Sequence, residues 1–273
     1  MLQKLHGAIP YFLFLMLFSC AGKRIIPSFP GEGQTSGTAL YKSLYNATWQ
    51  QRDSAILESL LNGNIPQFLR KFVPVRVGLF DTLSKKTIHA VYYVSPDYLS
   101  AGSNRDWVRV NLSPAAAQRI ADSFSCFLPT RKMVDDIYGA AKLKLEPLPL
   151  YAFRDSTPTM LHHHLMVEGQ RKGRKGLIAG IKKDIVISGK LLQDAKPGCV
   201  AIYGWHQLDG KPIQPLYTGH VYGWVDYSQA VRLIYRKIKV DNKWMDYTEV
   251  LAHPVLKNLL CDEEYCDFYK YPY

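Results

Sequence analysis

Residues 199–234, CVAIYGWHQLDGKPIQPLYTGHVYGWVDYSQAVRLI, constrain this chain more than any other stretch. They concentrate β-branched and aromatic residues between tight-turn signals, the composition of a pleated, half-buried ribbon. Residues 200–205 predict one strand. Asp209-Gly210 predicts a hairpin turn because both residues accept positive φ, and residues 221–225 predict an aromatic strand beyond it. After the turn Asp226-Tyr227-Ser228, residues 230–235 supply a further strand. His206, His220, Asp226 and Ser228 therefore fall at strand ends and turns, where a rigid sheet can hold side chains toward a cleft.

The rest of the chain separates by period. Residues 41–61 have helical spacing, with Ile56, Leu57, Leu60 and Leu61 on one face and a stop at Asn62-Gly63-Asn64. Residues 73–80, 87–94 and 107–112 read as strands. At Ser113 the period changes, with serine as N-cap and Pro114 at the first helical position. Thr130 caps a second helix whose apolar face is Met133, Val134, Ile137, Tyr138 and Ala141. Residues 157–170 suggest a third, carrying His162, His163 and His164. Residues 237–240 and 243–247 flank an Asp241-Asn242 turn. Helix, strands, helices, strands is the order of an α+β chain, expected as a twisted antiparallel sheet with helices packed on one side.

The first twenty residues have one lysine, Lys4, then an apolar run at residues 9–18 that is short for a membrane span. Leu17-Phe18-Ser19-Cys20 resembles the lipobox of bacterial lipoproteins. The resemblance implies that residues 1–19 are a signal peptide, that Cys20 is the acylated N-terminus, and that the periplasmic face of the outer membrane is the destination. Each buried acyl methylene adds about 0.8 kcal/mol of anchoring. Residues 20–40, rich in Gly, Pro and Ser, read as a tether, and residues 41–273 as a single domain. The net charge of +11 includes one dense run, Arg171-Lys172-Gly173-Arg174-Lys175. For an exported protein that charge favours peptidoglycan or another anionic envelope polymer, and not nucleic acid. Cys126, Cys199, Cys261 and Cys266 allow two disulfides with three pairings, among which Cys261 and Cys266 can close a small loop.

Three constellations compete for the chemistry. In the first, Cys126 precedes the helix capped by Thr130 and would be activated by a later imidazole. That layout resembles the NlpC-type, papain-like cell-wall peptidases, although the small residues usual around the family's cysteine are missing here. The resemblance implies a papain-like fold and a cysteine hydrolase of amide bonds in peptidoglycan peptides. Cys126 would be the nucleophile, His220 the base, Asp226 or His206 the orienting group, and backbone amides of residues 128–130 the oxyanion site; no cofactor is implied. The segments YGWHQLDGKPIQPL, DYSQAVRLI and EVLAHPVLKNLL also resemble secreted bacterial proteins of no assigned activity. In the second constellation, His206, His220 and Asp226, with His163 or His164, form a zinc site of a metal-dependent hydrolase, without any short zinc signature. The third is non-catalytic: Tyr203, Trp205, Tyr217, Tyr222, Trp224 and Tyr227 present an aromatic face to wall saccharide, with Lys182, Lys183 and Arg232 meeting its carboxylates. Period-two alternation places about half of those rings in the core.

Overall fold

A computed structural model describes residues 29–31, 35–194 and 197–273. The expected signal, and Cys20 as acylation site, lie outside the described residues. The order begins α1 (Gly37–Ser43), α2 (Trp49–Leu61), β1 (Val73–Asp81), β2 (Lys86–Val94), β3 (Ser100–Gly102) and β4 (Trp107–Arg109). It continues with α3 (Pro114–Ser123), β5 (Cys126–Phe127), α4 (Arg131–Ala140), β6 (Leu143–Lys144), α5 (Thr157–Arg171), β7 (Ile178–Ala179) and β8 (Lys183–Val186). The last part comprises α6 (Lys190–Gln193), β9 (Cys199–His206), β10 (Pro212–Val221), β11 (Gln229–Ala230), β12 (Ile234–Tyr235), β13 (Lys237–Val240), β14 (Lys243–Asp246) and α7 (Tyr247–Ala252). The protein is α+β, and most of its strand pairs are antiparallel.

The strands fall into two principal sheets. One runs β14-β13-β2-β12-β5, with β1 also paired on β2, and the other runs β10-β9-β8-β11. Two short two-stranded ribbons complete the pattern. The residue run that begins at Gln229 belongs to both large sheets: β11 pairs in parallel with β8, and β12, four residues later, pairs with β2 and β5. Between them, Val231 and Leu233 accept bonds from the amides of Leu99 and Ser95 at 2.8 and 2.9 Å. A segment expected as one strand thus ties the two sheets together. A large apolar cluster fills the space around them, and a smaller one gathers around Tyr98, Ile181 and Ala230.

Local signals explain the element ends. Ser113 and Thr130 accept the amides of Ala116 and Met133, satisfying helix donors that would otherwise be unpaired. The helical stretch expected over residues 41–61 is two helices, because Thr48 forms a capping box with Gln51 and restarts the chain. The first of them begins at Gly37, inside the expected tether, where the Ser36 and Thr38 hydroxyls bond to the Asp106 carboxylate. The Asp209-Gly210 hairpin forms as expected between β9 and β10. β10 covers the proline-containing stretch 212–221 by means of two register shifts, and residues 222–225 turn rather than extend.

Candidate functional site

Cys126 lies in the larger sheet, opposite Tyr235, and is 2 % exposed. Its thiol donates to the Phe124 carbonyl at 3.3 Å, and burial raises its pKa well above the ordinary thiol value. Both features oppose a thiolate. His206 and His220 belong to the other sheet. His206 Nε2 is 2.8 Å from Asp135 Oδ1, an oxygen that also accepts the Tyr203 hydroxyl, and its ring stacks on Tyr138. His220 packs against Tyr217 and Trp224. The proposed nucleophile and bases are therefore not assembled into a catalytic pair: the sulfur is sealed in the core and each imidazole has other partners. The local reason is that residues 126–127 extend into a strand instead of exposing the cysteine at the start of α4.

Cys261 and Cys266 form a disulfide, while Cys126 and Cys199 are free thiols. The zinc ligand set is not assembled either. Among the described residues no three His, Cys, Asp or Glu side chains are grouped to share a metal ion. His163 and His164 are buried on α5, His163 against the Tyr227 ring and His164 against Trp107 and Arg109. Burial first, and neighbouring cations second, push both imidazoles well below their ordinary value and keep them neutral.

What the fold does assemble is a charged turn under an aromatic surface. Asp226 Oδ1 accepts the Ser228 amide at 2.9 Å, the Gln229 amide at 3.1 Å and the Ser228 hydroxyl at 2.6 Å, which closes the turn locally. Asn111 Nδ2 donates to the carbonyls of Asp226, Tyr227 and Gln229 and fixes the same turn from the β4–α3 connection. The parallel register puts Lys183 opposite Gln229, so its ammonium reaches Asp226 Oδ2 at 3.0 Å. Arg154, 43 % exposed, meets the same oxygen at 2.9 Å from the surface. Burial alone would raise the Asp226 pKa, but Lys183, Ser228 and Arg154 together hold it below its ordinary value. Asp226 is thus a structural anion, with its oxygens engaged by this turn and these cations and not by His220.

His220 lies within electrostatic reach of this group. Burial and then the Lys183 charge lower its pKa, so the ring is neutral at physiological pH. Its ring lies 5.0 Å from that of Tyr217, edge on, and 5.9 Å from that of Trp224, nearly parallel. Tyr217 is 45 % exposed and Trp224 40 %. Trp49, at the start of α2, packs its ring against Gly223, where a Cβ would stand 3.0 Å from the indole. A side chain at 223 would require that ring to shift by a few tenths of an ångström. Trp49 is itself more than a third exposed. Tyr203, Trp205 and Tyr227, expected on the same platform, are in the core, and Tyr222 is half-buried. Lys182, Lys183 and Arg232 are buried as well, and Lys183 and Arg232 face carboxylates of this chain, Asp226 and Asp184.

No family model, curated protein or solved structure matches this chain. The site must therefore be read from its geometry. Two of its residues, Trp49 and Arg154, carry no local signal in the sequence; each reaches the connection that follows β10, at Gly223 and Asp226, only through tertiary packing. The aromatic composition of residues 217–224 marks Tyr217 and Trp224 as candidates, but strict alternation would put Tyr217 on the face opposite His220 and Trp224, and it is the register shift between Tyr217 and His220 that brings the rings of Tyr217 and His220 together. Two clefts, of about 620 and 550 Å³, are lined by other residues.

Proposed function

We propose that this chain is a non-catalytic binding protein of the bacterial cell envelope, tethered through Cys20, that holds wall saccharide on the aromatic face of β10. The observation that carries this reading is the group Tyr217, His220 and Trp224, two large, partly exposed rings on either side of a neutral imidazole, with the partly exposed Trp49 ring packed on the adjoining Gly223 and the Arg154 guanidinium on the Asp226 turn. Apolar side chains gathered at a surface mark interaction sites more often than they mark accidents. Ring faces offer broad contact to the C–H faces of a pyranose. Arg154 supplies a cation for a carboxylate on the glycan or its peptide, and the overall positive charge draws an anionic polymer. The burial and raised pKa of Cys126 count against a cysteine hydrolase.

Co-sedimentation with purified peptidoglycan tests the reading. Wild-type protein is expected in the pellet, and the Tyr217→Ala/Trp224→Ala double variant should bind at least about tenfold more weakly, about 1.4 kcal/mol, with its melting temperature little changed. Cys126→Ala should pellet like wild type and release nothing soluble. Unchanged binding by the double variant would exclude this face. Wall fragments released by wild type but not by Cys126→Ala would restore the hydrolase.

A further inference from the structure

A second site stands on different residues, at the end of α5. The cleft of about 550 Å³ lies between the 3₁₀ turn Gln67–Arg70, the β3–β4 hairpin and the basic loop that follows α5. Its size is that of a small-molecule site. Phe68 and Trp107 form one wall, their ring centroids 4.9 Å apart, and the Arg171 guanidinium lies 5.5 Å from each centroid.

The charges in this cleft do not cancel. Asp97 and Glu168 are committed to Arg109, which is fully buried: its Nη2 lies 2.7 Å from Asp97 and 2.8 Å from Glu168, and its Nε donates to Asp97 at 2.9 Å. Arg171 balances the second of the two carboxylates, but only at 3.5 Å, longer than a charge-assisted hydrogen bond. Its Nε is held by the Arg174 carbonyl at 2.8 Å, so the fork is placed while its Nη1 has only these loose contacts. Lys71 and Lys175 line the same cleft, are exposed and form no ion pair among the described residues. Two positive charges are left over, with a placed guanidinium between an aromatic wall and two ammoniums. The basic run is not simply a solvated loop. Arg174 turns back to cap the carbonyls of Arg171 and Gln170 at 3.0 and 2.8 Å, and Arg171 and Lys175 are left lining the cleft.

We propose that this cleft binds a small phosphorylated molecule. The phosphate dianion would meet Lys71, Lys175 and the Nη1 side of Arg171, and the body of the molecule would lie along Phe68 and Trp107. A dianion neutralises both surplus ammoniums, whereas a single carboxylate leaves one unmatched. A planar fork also suits the oxygens of a phosphate.

Calorimetric titration of the full chain at low salt tests this, with glucose 6-phosphate as probe and glucose, glucuronate and inorganic phosphate as comparisons. Glucose 6-phosphate should bind saturably and more tightly than inorganic phosphate or glucuronate, and glucose should not bind. Lys71→Ala/Lys175→Ala, both at exposed positions, should weaken the probe about tenfold or more, and Arg171→Lys by about threefold, with unfolding temperatures confirming that both variants fold. Absence of saturation by glucose 6-phosphate up to about 10 mM overturns the proposal, as does binding indifferent to the lysine changes. Glucuronate binding as tightly as the probe would overturn the dianion assignment, and inorganic phosphate doing so would overturn the role of the aromatic wall. Peptidoglycan binding through Trp224 is unaffected by any of these outcomes, so the two sites fail separately.

Discussion

Lys182 carries its ammonium into a fully buried position, where the Tyr227 carbonyl accepts from it. Burial first, and Arg109 and Lys183 after it, lower its pKa from the ordinary 10.5 to about 7, against the pull of Asp226 and Asp97. The consequence for stability has a definite sign. Below about pH 7 the lysine is protonated in both the folded and unfolded chain, and the full penalty of a buried cation is present. Between about 7 and 10.5 the unfolded chain binds the proton and the folded chain does not, so stability rises with pH through that window. Replacing Lys182→Met should remove this contribution: urea unfolding followed between pH 7 and 9 should show a smaller rise for the variant than for wild type. Equal slopes would mean that the amine is not desolvated as placed. His163, with both ring nitrogens buried and no hydrogen bond of good geometry, sits beside the same lysine as a neutral packing group.

Among the elements, the turn between β10 and β11 is held by Asn111, Lys183 and Arg154 together, and it joins the sheet edge to the aromatic face. Its ion pair is asymmetric. Lys183 and Asp226 are almost fully buried, whereas Arg154 is open to solvent. Removing one partner of a buried pair leaves an uncompensated charge, so Asp226→Ala should destabilise by about 3–5 kcal/mol. Arg154→Ala removes a solvent-screened partner and should cost under about 1 kcal/mol, while weakening peptidoglycan binding. Denaturant titrations of the two variants check this ordering, and similar losses for both would place Arg154 in the framework. β9 holds a second special feature, the pair Gly204 and Trp205 with φ of +110° and +58°. Trp205 adopts a conformation that side-chain-bearing residues avoid, and its amide donates to the Lys182 carbonyl at 2.9 Å. That twist brings a core tryptophan into the strand beside the buried lysine.

For the whole molecule, the C-terminal segment is part of the framework. Tyr271 is fully buried; its hydroxyl donates to Val186 at 2.6 Å and accepts from the Ala201 amide at 3.0 Å, and its own amide bonds to Gln118 at 3.2 Å. It thereby joins α3 to neighbouring strands β8 and β9. Tyr271→Ala should cost about 3–5 kcal/mol, and Tyr271→Phe about 1–2 kcal/mol, because the phenylalanine keeps the ring but orphans an amide. Thermal unfolding of the pair gives the test, and a Tyr271→Ala variant as stable as wild type would show the segment to be dispensable. No described helix is long and apolar enough to cross a membrane. By itself the sequence determined the α+β class, the caps at Ser113 and Thr130 and the Asp209-Gly210 hairpin, because propensity, capping and turn chemistry act between residues a few positions apart. Only the tertiary structure decided that Cys126 is sealed while Tyr217 and Trp224 stay open, that Trp49 and Arg154 join them, and that Lys71, Trp107 and Arg171 share a cleft. Burial and long-range charge pairing depend on which distant segments pack together, and spacing along the chain holds no record of that.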